Sequence, residues 1–251
     1  MELESLLQYV SELLNVPGHP DYPGSVNGLQ VAGPDQVGHL AVAVDASSET
    51  VAAAVQARAD LLVVHHGIFW RGLQPLTGPT FEKVAGLIRA GVGLYSVHLP
   101  LDSHPELGNS ILLARALGLD VDGRFGMFEG AEIGWSGRVE ECAPEAFRAL
   151  VARAVGGPAR LLSGGDHTVR RVGVLTGGGG SFVAEAAARQ LDALVTGEAS
   201  HHAYVDAMEL GVHVVLAGHY ATETFGVKAL AAHLAERFGL TWEFLDFPSG
   251  L

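Results

Sequence analysis

A chain of 251 residues that is 48% hydrophobic and only 17% charged is long enough for one large α/β unit or two packed lobes, and it fits neither a disordered segment nor a coiled coil. No apolar run approaches the roughly 20 residues that span a bilayer, and a net charge of −13 works against a long phosphate backbone as partner, because that affinity rests on lysine and arginine releasing counterions. A single cysteine, Cys142, excludes an intrachain disulfide; in its Glu-rich surroundings, with no activating base nearby, it reads as structural.

In chain order, Met1 to Val16 mixes Glu2, Glu4 and Glu12 among leucines and lacks a basic region or cleavage site. It is expected to be an amphipathic helix of a cytoplasmic protein. Strands are predicted over Leu40–Val44, Leu61–Val64, Val92–Val97, Val172–Leu175, Ala193–Thr196 and Val212–Leu216, each nearly continuous in apolar or β-branched residues and so expected to be buried on both faces. Between them, Ala-rich stretches at Ser48–Arg58, Phe81–Ala90, Ser181–Gln190, Ser200–Leu210 and Thr222–Phe238 have helical spacing. The alternation predicts an α/β fold of two related lobes with mainly parallel sheets. The lobes are expected at residues 1–124 and 166–251, the second packing back on the first. The region 125–165, with a strand over Ile133–Glu140 and a helix opening at Pro144, is expected to connect them.

The two lobes read as copies. Leu40 to His66 runs strand, helix, Asp60, strand, and Val172 to Glu198 repeats the pattern around Asp192. Each copy then ends a strand with a histidine followed four residues later by a carboxylate, His98 with Asp102 and His219 with Glu223. If the chain is duplicated, its chemistry is expected between the copies.

Ligands of parallel α/β sheets collect outside the carboxyl ends of strands, and His65, His66, Asp102, His219 and Glu223 all fall there. Adjacent histidines leaving a strand tend to point apart, which suits two neighbouring ions. His219 and Glu223 lie one turn apart on a helix. The nitrogen and oxygen donors, without thiolate, suit zinc, manganese, iron, cobalt or nickel. Against this, a lone strand-end histidine is usually a hydrogen-bonded structural residue, and no short zinc motif is present; the signal is convergence of several ligand types. Gly177 to Gly180 reads as a tight turn, with a phosphate cradle as the weaker alternative. Glu198 is a candidate general base, an orienting partner for a ligand, or a helix cap.

Ser25-Val-Asn-Gly-Leu-Gln30, His65-His66, Tyr95-Ser-Val-His98 leading to Asp102, Gly108-Asn109, Thr196-Gly-Glu198 with His201-His202, and Gly218-His-Tyr-Ala-Thr-Glu223 together resemble the Nif-three-like dinuclear-metal proteins, a family also known as type 2 GTP cyclohydrolase I homologues. The match runs through nearly the whole chain in order. Departures are Ser25 and Val26, where the family often has Trp and Asp, and Leu99, where it has Thr. The resemblance implies two divalent metal ions per chain at the interface between the lobes, with ligands at His65, His66, Asp102, His219 and Glu223. It also implies a homohexamer built as a trimer of dimers, and metal-dependent hydrolysis of a small nucleotide-like or phosphorylated substrate, with His98 or Glu198 moving protons. The competing expectation is a non-enzymatic ring scaffold or regulator that binds protein partners or single-stranded nucleic acid, the latter disfavoured by charge.

Overall fold

The computed structural model describes residues 1–70 and 74–251. They divide into two units, Met1–Leu101 with Gly226–Phe247 and Asp102–Phe225 with Pro248–Leu251. The chain opens with helix α1 (Leu3–Leu13), edge strand β1 (Gly28–Val31) and strand β2 (His39–Asp45). Helix α2 (Ser48–Gln56) starts where the Ser47 hydroxyl accepts the Thr50 amide at 3.0 Å, satisfying one of the amides a helix start leaves unpaired. Strand β3 (Leu61–His66), helix α3 (Gly78–Ala90), strand β4 (Gly93–Ser96), the one-turn α4 (Leu99–Asp102) and α5 (Asn109–Ala116) follow. Gly91 ends α3 in the left-handed conformation, φ +70°, where glycine bears no Cβ penalty.

Strands β5 (Asp120–Phe128) and β6 (Ala131–Cys142) form a hairpin. The chain then continues with α6 (Pro144–Val155), β7 (Arg160–Leu162), β8 (Val169–Val174), α7 (Val183–Ala188), β9 (Ala193–Thr196), α8 (His202–Leu210), β10 (His213–Leu216), α9 (His219–Thr222), α10 (Thr224–Phe238) and β11 (Thr241–Phe244). The run from α1 to α5 is thus repeated, element for element, from α6 to α10. Sheet order agrees: the first unit holds β1-β4-β3-β2-β11 and the second β5-β6-β8-β9-β10-β7, so β7-β10-β9-β8 copies β1-β4-β3-β2.

A loop-holding device is copied too. Asp60 Oδ2 accepts the amides of Gly38 and His39 at 2.8 and 2.9 Å; Asp192 Oδ2 accepts those of Arg170 and Arg171 at 2.9 and 2.6 Å. Charge-assisted bonds of this kind are about twice as strong as neutral ones, which explains why an aspartate stands just before β3 in one copy and β9 in the other.

The core strands are buried on both faces, as the apolar runs predict; β4 and β9 have no residue outside the interior. Leu62, Leu87 and Leu94 centre the first core, and Phe147, Val172 and Val195 the second. Truncating one such leucine costs about 2–5 kcal/mol.

The α/β fold of two related units stands as expected, and the strand pairing refines it. Among the described residues β1 is the only antiparallel member of the first sheet, whereas the second is mixed: β8, β9 and β10 run parallel, while β5, β6 and β7 pair antiparallel. Two expectations need correction. Residues 125–165 are no connector; they supply much of the β5–β6 hairpin, α6 and β7 to the second unit. The division falls not at 124 and 165 but after Leu101 and at Gly226, since α5 is placed with the second unit and most of α10 with the first. Among the described residues no helix is long and apolar enough to cross a membrane.

Candidate metal centre

In the first unit, His65 and His66 close β3 and His98 lies two residues beyond β4. Their ligand atoms lie within 4.8 Å of one another. The rings of His65 and His66 are 4.7 Å apart and those of His65 and His98 4.8 Å. The adjacent pair therefore converges more than strand alternation alone suggests.

Each ring is held by its Nδ1. His65 Nδ1 is 3.0 Å from the Val97 carbonyl, which can only accept, so Nδ1 carries the proton and Nε2 the lone pair. His66 Nδ1 is 2.8 Å from Asp45 Oδ1; Asp45 and His66 are register partners on β2 and β3, which explains why the side chains meet. His98 Nδ1 is 2.7 Å from Asp21 Oδ1. This backing of the distal ring nitrogen by an acceptor fixes the tautomer that metal-ligating histidines require.

Asp21 is the anchor of the group. Its carboxylate also accepts from Asn27 Nδ2 at 2.8 Å, the Leu99 amide at 3.1 Å and the Tyr22 amide at 2.7 Å. Burial alone pushes its pKa up, but the hydrogen bond and charge of His98, with Asn27 and Tyr22, outweigh it and hold the group at about 2. A depressed carboxylate stabilises the fold fully above its ordinary 3.8 and loses that contribution as pH falls through about 2. Asn27 also accepts the His98 amide at 2.8 Å. Gln30 holds the loop after the histidines by accepting the Ile68 amide at 2.8 Å. The Ser25–Gln30 motif thus supports the histidines.

In the second unit, Asp102 ends α4, and His219 and Glu223 flank α9. Asp102 and Glu223 are 5% and 2% exposed, and their ligand oxygens lie within 4.8 Å of one another. Asp102 Oδ1 accepts from Asn109 Nδ2 at 2.8 Å and from the Thr176 hydroxyl at 3.2 Å. His219 stands between two carboxylates: Nε2 is 3.2 Å from Glu223 Oε1 and Nδ1 3.0 Å from Glu198 Oε1. The Glu223 hydrogen bond above all, against the opposing effect of burial and with help from Glu198, raises the imidazole to about 9.

Other candidates fall elsewhere. Glu198 is half exposed and lies behind His219. His202 bonds only as far as Ser200, and His201 and His202 are exposed and join no ligand group among the described residues. In the glycine loop, the amides of Gly177 and Gly179 donate to the hydroxyls of Thr222 and Thr196 at 3.1 and 2.8 Å, in keeping with a tight turn. The Cys142 thiol is pushed up by burial and by Glu140, as befits a structural thiol. Sequence reasoning missed Asp21 and Asp45. Asp45 was legible in principle, as the last residue of the strand beside β3.

The family model described as Duf34/NIF3 (NGG1p interacting factor 3) matches residues 1–248. Among similar proteins, one of Deinococcus radiodurans is 43% identical over 249 residues, covering 99% of this chain and 94% of its own. One of Pyrococcus horikoshii is 43% identical over 255 residues, covering all of both chains. Each is called GTP cyclohydrolase 1 type 2 homolog. Among solved structures, the protein ybgI, titled as of unknown function, superposes with TM-score 0.93 at 35% identity, and TTHA1606 of Thermus thermophilus with 0.90 at 37%, each covering 100% of both chains.

Proposed function

The chain belongs to the Duf34/NIF3 family, and on that footing we propose that it is a dinuclear-metal hydrolase of small nucleotide-like or phosphorylated molecules. Two divalent ions would be held by His65, His66, Asp102, His219 and Glu223, with His98 a neighbour of the histidine pair rather than a ligand. The observation that carries this reading is the common Nδ1 backing of four histidines, by Val97, Asp45, Asp21 and Glu198, together with the approach of two buried carboxylates, Asp102 and Glu223, within the second unit. That donor chemistry fits zinc, manganese, iron, cobalt or nickel.

When bound, such ions supply Lewis acidity and activated water. The chain's own residues position the donors. Asp102 keeps one oxygen on Asn109 and Thr176, which fixes the carboxylate plane. Glu198 acts as the residue that orients His219 rather than as a general base, and His98, held by Asp21, is the group placed to move a proton.

The ring assembly of six chains belongs to the same reading. The test is turnover of GTP and of a phosphoester panel by manganese- or zinc-loaded protein, set against the His65→Ala/Glu223→Ala double variant. Equal, negligible turnover by both removes the enzyme and favours a metal-held scaffold.

Two predictions arise here. Asp45→Asn and Glu198→Gln are each expected to weaken metal binding about 10–100-fold with the fold retained, read by competition with a chelating dye. Protein stripped of metal is expected to release about one proton per chain when metal is added near neutral pH, because ligation needs neutral His219. The sign follows from the raised pKa: the stabilisation given by protonated His219 is complete below the ordinary 6.5 and is lost as pH rises through about 9. Proton release therefore fades above that pH. Calorimetry in buffers of different ionisation enthalpy measures it.

A further inference from the structure

His213, the first residue of β10, is fully buried in the second unit. Both its ring nitrogens are bonded to the loop of residues 163–168 that joins β7 to β8. Nε2 lies 3.0 Å from the His167 carbonyl, which can only accept, so Nε2 carries the proton. Nδ1 keeps the lone pair and accepts the Gly164 amide at 3.1 Å. The His167 ring stacks on that of His213 with centroids 4.2 Å apart, and its own Nε2 is buried with no hydrogen-bond partner. Only the neutral ring of His213 fits this arrangement: a second proton would set an N–H on Nδ1 against the N–H of Gly164.

The first copy holds the equivalent loop without a titratable group. Gly93 and His213 open β4 and β10, and their amides donate to the carbonyls of Asp60 and Asp192, each at 2.9 Å. In the first copy the loop after β1 packs on Gly93 directly, for a Cβ on Gly33 would stand 2.9 Å from the Gly93 Cα. In the second copy an imidazole ring takes that place and reaches the loop through hydrogen bonds. Burial lowers the His213 pKa most, and the charge of His167 adds to it; the bond to the His167 carbonyl and the charge of Asp192 oppose both, and burial prevails. A histidine lowered in this way stabilises the closed loop fully above the ordinary 6.5 and loses that contribution as pH falls from there through its lowered value.

We infer that residues 163–168 form a proton-operated latch: neutral His213 holds the loop shut, and acidification releases it and loosens the edge strand β7, whose strand partner is β10. The latch does not rest on the hydrolase reading, because neither His213 nor His167 is among the proposed metal ligands.

The test is amide hydrogen exchange of the full chain, corrected for the intrinsic pH dependence of exchange, with β7 and its counterpart β1 as matched reporters. Protection of the Gly164 amide and of β7 is expected to fall about tenfold between about pH 7.5 and about pH 5.5, while that of β1 stays constant. His213→Gln, whose side chain takes up no proton, is expected to flatten the β7 profile whatever its protection at neutral pH. NMR of the ring nitrogens in the unaltered chain is expected to show His213 neutral at neutral pH with its proton on Nε2, a readout that stands even where the variant does not fold. The latch is overturned by a flat β7 profile in the unaltered chain, by an equal fall in β1, by an unchanged slope in His213→Gln, or by a His213 ring that is charged at neutral pH or carries its proton on Nδ1.

Discussion

The unaltered chain is expected to purify with about two ions bound, and the His65→Ala/Glu223→Ala double variant with essentially none. Each substitution removes a donor from a different set. His65 is fully buried and Glu223 is 2% exposed, so neither can be replaced by a neighbouring surface group swinging in. Glu223 also matters electrostatically: its hydrogen bond is the largest cause of the raised His219 pKa. Without it, His219 is expected to fall back toward the ordinary histidine range, which an NMR pH series reads. His65→Ala alone leaves the His219 titration in place, which separates loss of a ligand from collapse of the fold. Added metal at about one hundred times its Kd stabilises a protein that binds it by about 2.7 kcal/mol per site, so the melting temperature of the unaltered chain is expected to rise with manganese or zinc and that of the double variant to stay put. Two ions per chain in the double variant, by elemental analysis, is the result that removes these residues from the centre.

Much of the fold is legible because buried parallel strands write themselves as unbroken apolar runs. Ala193–Thr196 is predicted and found to the residue, and LLVV before His65 has no competing reading. What escapes is the antiparallel part. Strand β7 is three residues long, too short for any period, and β5 carries Asp120, Asp122 and Arg124 in its first half, which reads as loop. Without β5 and β7 the region 125–165 looks like a connector, and the second half of the duplication begins too late. The copy is visible at β2 and β8 because Asp60 and Asp192 do the same work on the preceding loop. It is invisible at α1 and α6, whose sequences share only an amphipathic face.

The candidate site shows the same divide. Ligands of the right type at strand ends can be found from spacing, since strand ends are where a sheet gathers side chains. The groups behind them cannot, because Asp21 lies 77 residues from His98 in sequence and nothing in its neighbourhood marks it as the group that settles the tautomer of that ring. Asp45 and Glu198 serve likewise, one from the next strand and one from the loop after β9, and only the register of the sheets brings them to their histidines.

Gly177→Ala is expected to destabilise the protein by on the order of 3 kcal/mol and to impair metal loading together with it. Gly177 has φ +65°, a conformation that strains any residue with a Cβ. A Cβ there would also lie inside 3.0 Å of Glu223 Oε1 and 3.4 Å from His219 Nε2. Glu223 has nowhere to retreat at 2% exposure. The backbone is pinned as well: the Gly177 amide donates to Thr222 Oγ1 at 3.1 Å, and its carbonyl accepts the amides of Gly197 and Glu198 at 2.9 and 3.0 Å. The loop therefore cannot rotate to relieve the clash without breaking bonds to the elements that carry His219. The neighbouring Gly178→Ala is the control, for Gly178 has φ −86° and open space where a Cβ would stand, and its effect is expected within about 0.5 kcal/mol. Chemical denaturation of the two variants, with metal content measured on the same samples, separates them. Equal stability of the two, with metal retained in both, would mean that Glu223 is not held against this turn as described.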